Sequence, residues 1–310
     1  MNAPLYPMVG ASLMPEGDFA LAAFPLFDEG LIEVAEWSFD TCWHGHEAPP
    51  WLEALVGAYS DAGRLLGHGV SFSIFTADEE HRSEQWLAEM AREHQRRNYA
   101  QVSEHFGFML AGDFHRGAPL PMPYTPETLR LGRDRLRRLS DVAQVPVGLE
   151  NLAFAFGLQD VRGQGSFLEE LLEPVDGFLL LDLHNIYCQA CNFEMDPVEL
   201  LRAYPLARVR ELHVSGGSWS ESVGAMVRRD AHDGPVPREV FALLQTALQL
   251  CPGTRAVILE HLGTALGNEL ARAAYREDFQ YMRQIVHGSR TQSAAVAPAA
   301  RVAEAAGFAH

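Results

Sequence analysis

Nine side chains of metal-ligating type recur along the chain: His68, His105, Glu150, Asp182, Asn185, His213, Asp230, His232 and Glu260. Several close a short apolar run, as in Val147-Gly-Leu-Glu-Asn151, Phe178-Leu-Leu-Leu-Asp-Leu-His-Asn185 and Val257-Ile-Leu-Glu260. A carboxylate after such a run must be paired, hydrogen-bonded or on a metal, because an isolated buried charge costs several kcal/mol. Taken singly, each histidine is the usual hydrogen-bonded structural histidine; the joint occurrence points to metal chemistry. One ion takes roughly four to six ligands, so nine suit a multinuclear centre. Asp230 and His232 are two apart, which on an extended segment aims both side chains the same way.

Eight apolar runs, 9–14, 31–36, 70–75, 105–110, 147–152, 178–183, 209–214 and 256–260, read as strands. Helical patterns cover 51–66, 83–103, 126–142, 166–172, 197–204 and 237–250, with a last helix from an Asn268 cap to about Val286. Eightfold alternation in a chain of 310 residues predicts an α/β fold, a closed (β/α)8 barrel over 1–288, followed by a tail over 289–310 that is disordered or loosely helical. An open doubly wound sheet would carry a Gly-rich phosphate loop after its first strand, and Val9-Gly-Ala-Ser-Leu-Met-Pro is none. His68 falls before the run 70–75 unless that strand begins earlier, at Leu65. Two long segments, 37–50 with Cys42, His44 and His46, and 111–125 with Asp113, His115 and Tyr124, are expected to shape the substrate side.

Asp and Glu total 41 against 24 Lys and Arg, a net charge of −17 that disfavours a nucleic-acid partner. No apolar run approaches the roughly 20 residues of a membrane span, and no signal-peptide pattern opens the chain. Four cysteines without dense pairing complete the expectation of a cytoplasmic protein without membrane contact. Cys188-Gln-Ala-Cys191 has no second pair and is read as two loop thiols rather than a zinc knot.

The order His, His, Glu, Asp-x-x-Asn, His, Asp-x-His, Glu resembles the three-metal site of the xylose-isomerase-like barrels, of which endonuclease IV is the zinc hydrolase example. More closely, Gly67-His-Gly-Val, Ser103-Glu-His, Leu120-Pro-Met-Pro-Tyr-Thr125, Leu149-Glu-Asn, Leu181-Asp-Leu-His-Asn-Ile-Tyr187 and Asp230-Ala-His-Asp-Gly-Pro-Val-Pro237 resemble the multinuclear non-haem iron-dependent oxidative enzymes. These include the methanobactin oxazolone-forming and thiaglutamate-forming enzymes. The resemblance implies two or three irons, Fe(II) and Fe(III), with O2 as co-substrate. It implies a ribosomally made precursor peptide modified at Cys, or at Asp or Asn, and a small partner protein that recruits its leader.

Carried over by position, His68, His105 and Glu150 hold one ion. Glu150 bridges to a second with Asp182, His213 and Glu260, and Asn185, Asp230 and His232 hold a third. Glu150, Asp182 and His213 thereby count as catalytic, with His184 and Asp233 as proton-transfer residues beside the ligands. The family's commoner pattern has Asn where His184 stands. The competing expectation is a zinc- or manganese-dependent hydrolase or isomerase of the same superfamily, in which the ions activate water or polarise a carbonyl.

Overall fold

Runs buried on both faces must pair with parallel neighbours and be covered by helices. In the computed structural model, which describes residues 6–43, 47–77, 80–111, 114–222 and 224–305, they do so in a closed ring. The chain order is β1 (Met8–Leu13), α1 (Gly17–Asp28), β2 (Val34–Trp37), α2 (Pro50–Asp61), β3 (Leu65–Gly69), α3 (Glu80–Arg96) and β4 (Tyr99–His105). A hairpin of β5 (Phe108–Ala111) and β6 (Phe114–Leu120) follows, then α4 (Pro126–Ala143), β7 (Val147–Glu150), α5 (Leu158–Leu172), β8 (Phe178–Asp182), α6 (Leu183–Asn192) and α7 (Pro197–Arg202). After β9 (Val209–Ser215) a second hairpin, β10 (Trp219–Ser222) and β11 (Ala225–Arg228), leads to α8 (Arg238–Leu250), β12 (Ala256–Glu260) and α9 (Glu269–Ala305). The barrel order is β1-β12-β9-β8-β7-β4-β3-β2, every pairing parallel.

The eight-stranded α/β barrel is as expected, with two strands displaced. The third is Leu65–Gly69, not 70–75, which sets His68 near its end. The chain leaves α2 through Gly63 in a left-handed conformation (φ 64°), so the strand starts before the apolar run that suggested it. Residues 70–71 are instead caught by Asp40, which accepts from the Val70 and Ser71 amides (3.1 and 2.8 Å) and from the Trp86 indole (3.0 Å). The fourth strand is Tyr99–His105, not 105–110. Its polar residues Gln101 and Ser103 are buried and bonded inside the barrel, to Glu211 and His68, so it carries no continuous apolar run to be read.

Helices α1 and α6 were not expected, and α5 begins eight residues before the predicted 166. The last helix is capped by Asn268, whose Oδ1 accepts from the Ala271 amide (3.0 Å), and continues beyond Val286 to Ala305. Most of the segment read as a tail lies in it. His44, His46 and Asp113 lie outside the described residues. Among those described, no helix is long and apolar enough to cross a membrane.

Candidate metal centre

The C-terminal ends of β3, β4, β7, β8, β9 and β12 bring the predicted residues together. His68 and His105 turn their Nε2 atoms to Glu150 Oε2, at 3.3 and 3.4 Å. His68 Nδ1 lies 2.8 Å from Ser103 Oγ, whose hydroxyl donates to the Gly67 carbonyl. The proton therefore belongs on Nδ1 when the ring is neutral, leaving Nε2 as the ligand atom.

His213, fully buried on β9, stands between two carboxylates. Its Nδ1 is 3.1 Å from Glu260 Oε2 and its Nε2 is 2.9 Å from Glu36 Oε2. With Nε2–H donated to Glu36, Nδ1 is the atom free to bind a cation beside Glu150 and Asp182, with which His213 forms one ligand group. A carboxylate behind a ligating histidine fixes the ring and raises its basicity. Glu36 was missed as a site residue, although it ends the apolar run 31–36 much as Glu150 and Glu260 end β7 and β12. Below it, burial and the charge of Glu36 push the Glu211 carboxyl up to about 8, and Glu211 accepts from Gln101 (2.8 Å).

Asp182 caps α6 by accepting from the Asn185 amide at 2.7 Å. Asn185 donates its side-chain N–H to the Asn151 carbonyl (2.9 Å) and to Glu150 Oε1 (3.3 Å). Asp182, Asp230 and His232 form a further ligand group, with His232 Nε2 2.8 Å from Asp230 Oδ1. The extended geometry expected of that pair does not hold. His232 is left-handed (φ 50°), so the segment is not extended there, and the two side chains meet through a turn.

That turn is held by the Leu262 amide donating to the His232 carbonyl (2.9 Å) and the Val236 amide donating to Asp278 (2.8 Å). It packs so closely on Gly216 and Gly217 that a Cβ at either would strike the carbonyl oxygens of Gly234 and Arg229. His184 is fully buried with both ring nitrogens occupied, Nδ1 by Asp230 (2.9 Å) and Nε2 by Arg228 (3.0 Å). Asp233 is exposed, outside every ligand group.

Asp182 Oδ2, Asn185 Oδ1 and His105 Nδ1 are buried without hydrogen-bond partners among the described residues, and Glu150 Oε2 faces the two imidazoles at 3.3 and 3.4 Å. Oxygens left so are costly unless a cation takes them up, and this set fits several cations. Without metal, protons substitute. Burial opposes a charged His68, yet its bond to Glu150 and the charge of Glu36 hold its pKa at about 10. His213 and His232 are likewise raised despite burial, chiefly by Glu36 and Asp230 respectively. Metal entry must therefore expel protons.

Buried histidines and carboxylates at the C-terminal rim of a parallel eight-stranded barrel define a metal-dependent α/β-barrel enzyme. Solved structures agree on the fold. An L-ribulose 3-epimerase superposes with a TM-score of 0.58 at 14% identity, over 94% of this chain and 98% of the other. A xylose isomerase-like TIM barrel protein from Mycobacterium smegmatis, in complex with magnesium, does so with 0.52 at 16%, over 92% and 98%. Residues 42–265 match the family model of the RiPP precursor modification enzymes MbnB/TglH/ChrH, and the chain belongs to that family. A UPF0276 protein of Caulobacter vibrioides is 33% identical over 194 residues, 62% of this chain and 67% of the relative. Another, from Acaryochloris marina, is 30% identical over 216 residues, 65% and 76%.

Proposed function

We propose that the chain binds two or three iron ions and uses O2 to oxidise a side chain of a ribosomally made precursor peptide, a cysteine first and an aspartate or asparagine second. One observation carries the reading: Glu150 belongs to two ligand groups and Asp182 to two, so ions in adjacent groups would share a ligand. His68, His105 and Glu150 would hold the first ion. Glu150, Asp182, His213 and Glu260 would hold the second, and Asp182, Asn185, Asp230 and His232 the third. The many oxygen donors, Asn185 among them, favour iron over zinc.

Bound iron supplies one-electron chemistry with O2 and lowers the pKa of a coordinated thiol. The chain's own residues do the rest. Ser103 and Glu36 fix the ring orientation of His68 and His213, while Asn151 aligns Glu150 with Asp182. His184, with no free nitrogen, orients Asp230. Asp233, exposed beside His232, would be the proton-transfer residue at the rim of the site. A small leader-recognition partner and a cytoplasmic location belong to the same proposal; four free cysteines suit a reducing compartment.

The test is metal analysis of anaerobically purified protein with Mössbauer spectroscopy on iron-enriched material, followed by O2 uptake with cysteine-rich peptides. Two to three irons per chain and peptide-dependent uptake are expected. Stoichiometric zinc without iron would overturn the reading and leave the hydrolase or isomerase one.

A further inference from the structure

Arg228, the last residue of β11, is only 7% exposed, yet among the described residues its guanidinium has no carboxylate within ion-pair distance. Its Nε and one Nη donate to a single acceptor, His184 Nε2, at 3.3 and 3.0 Å. A guanidinium can only donate, so that nitrogen bears the lone pair and His184 Nδ1–H donates to Asp230 Oδ1 at 2.9 Å. The cation is also fixed from its other sides. Asn192 holds its backbone by two hydrogen bonds of 2.8 and 2.9 Å, and its charge lies 5.5 Å from the Tyr187 ring and 5.9 Å from the Trp219 ring.

A cation so held spends most of its conformational freedom in advance, and a neutral imidazole satisfies little of its five-donor fork. A planar anion is what such a fork binds well. The hairpin beside it is open: Trp219 is 47% exposed and Met226 is 60%. Only the His184 imidazole separates the guanidinium from Asp230, so a group bound there lies within a residue or two of a peptide side chain placed at the metal centre. On a chain with a net charge of −17, no long-range field would draw an acidic group to this spot. A local, preorganised cation is needed.

We propose that Arg228 is a specificity residue that receives a carboxylate of the substrate peptide, with Trp219 covering the residue that bears it. The carboxylate is either the C-terminal one or an acidic side chain next to the reacting residue. The proposal rests on the peptide-oxidising reading above.

The experiment is anaerobic calorimetric titration of the protein with its native metal content, using two matched pairs of probes. One pair is N-acetyl-Ala-Cys with a free C-terminus against its amide; the other is N-acetyl-Cys-Glu-amide against N-acetyl-Cys-Gln-amide. In one pair the carboxylate probe is expected to bind about tenfold more tightly, and the pair that shows this identifies the carboxylate. R228M should abolish the preference while leaving the neutral probes within about twofold, and R228K, which keeps charge but loses the fork, should reduce it.

Equal affinities within both pairs, or no measurable binding of the carboxylate probes, overturn the proposal. So does a preference that survives R228M, which places the carboxylate on the metals, and so does a parallel loss for both members of a pair, which leaves Arg228 only as a support for His184. Should R228M not fold, the wild-type ratio and R228K decide. Serine versions of the probes test the thiol reading separately: indifference to sulfur would sink the cysteine chemistry and leave the Arg228 result standing.

Discussion

Asn151 clamps the backbone of Asp182 from the neighbouring strand: its Nδ2 donates to the Asp182 carbonyl at 3.1 Å and its Oδ1 accepts from the Asp182 amide at 2.7 Å. Because Asn151 follows Glu150, this pair of bonds fixes the offset between two carboxylates that would share an ion. Replacing Asn151 by Ala leaves a buried amide and carbonyl unpaired. The expected cost is about 1–3 kcal/mol of stability, with roughly 10–100-fold weaker metal binding. Thermal unfolding and competitive chelator titration read the two effects.

Glu36 is the carboxylate behind His213, and the expected effect of E36Q is on affinity more than on folding. Glutamine can still accept from Nε2–H but brings no charge, so His213 becomes a weaker donor. Metal affinity should fall by roughly 10–100-fold. Retention of wild-type metal content by E36Q under chelator challenge would count against the assignment.

Gly217 lies against the Arg229 carbonyl oxygen, with His184 Cε1 at 2.8 Å from where a Cβ would stand. G217A must displace the turn that carries Asp230 and His232 while leaving β3, β4 and β7 untouched. The measured outcome should be loss of about one metal ion per chain from an otherwise intact barrel, seen as lower stoichiometry with unchanged far-ultraviolet circular dichroism.

Asp278 on α9 ties down the far end of that turn through the Val236 amide. Burial, aided by Glu277, pushes its pKa up to about 6. A folded-state pKa above the unfolded value near 3.9 means stability that is present below about pH 4 and lost as pH rises through about 6. D278N, whose side-chain oxygen can still accept from Val236, should remove this loss. Denaturant titrations of metal-free protein should show the variant gaining on the wild type between pH 4 and 7, by a difference of the order of 2 kcal/mol. Parallel profiles would refute it.

Much of the barrel was legible because strands such as β8 and β12 are buried on both faces and must be written as continuous apolar runs. Glu150, Asp182 and Glu260 stood out as candidate ligands for a related reason, since a carboxylate at the end of such a run must be paired, hydrogen-bonded or on a metal. What escaped notice was polar by necessity. β4 hides Gln101 and Ser103 inside the barrel, and their bonds to Glu211 and His68 join residues 110 and 35 positions apart. Glu36 acquires its meaning from His213, 177 positions away.

The sequence by itself determined the fold class and the family and singled out the candidate ligands, because apolar periodicity and residue chemistry are local properties. Only the tertiary structure decided that Asp230 and His232 meet through a left-handed turn rather than an extended one. It alone decided that both nitrogens of His184 are taken, and that Arg228 faces an imidazole instead of a carboxylate. Each of these depends on which distant groups share a few ångströms of low-dielectric space, and chain order carries no such distance.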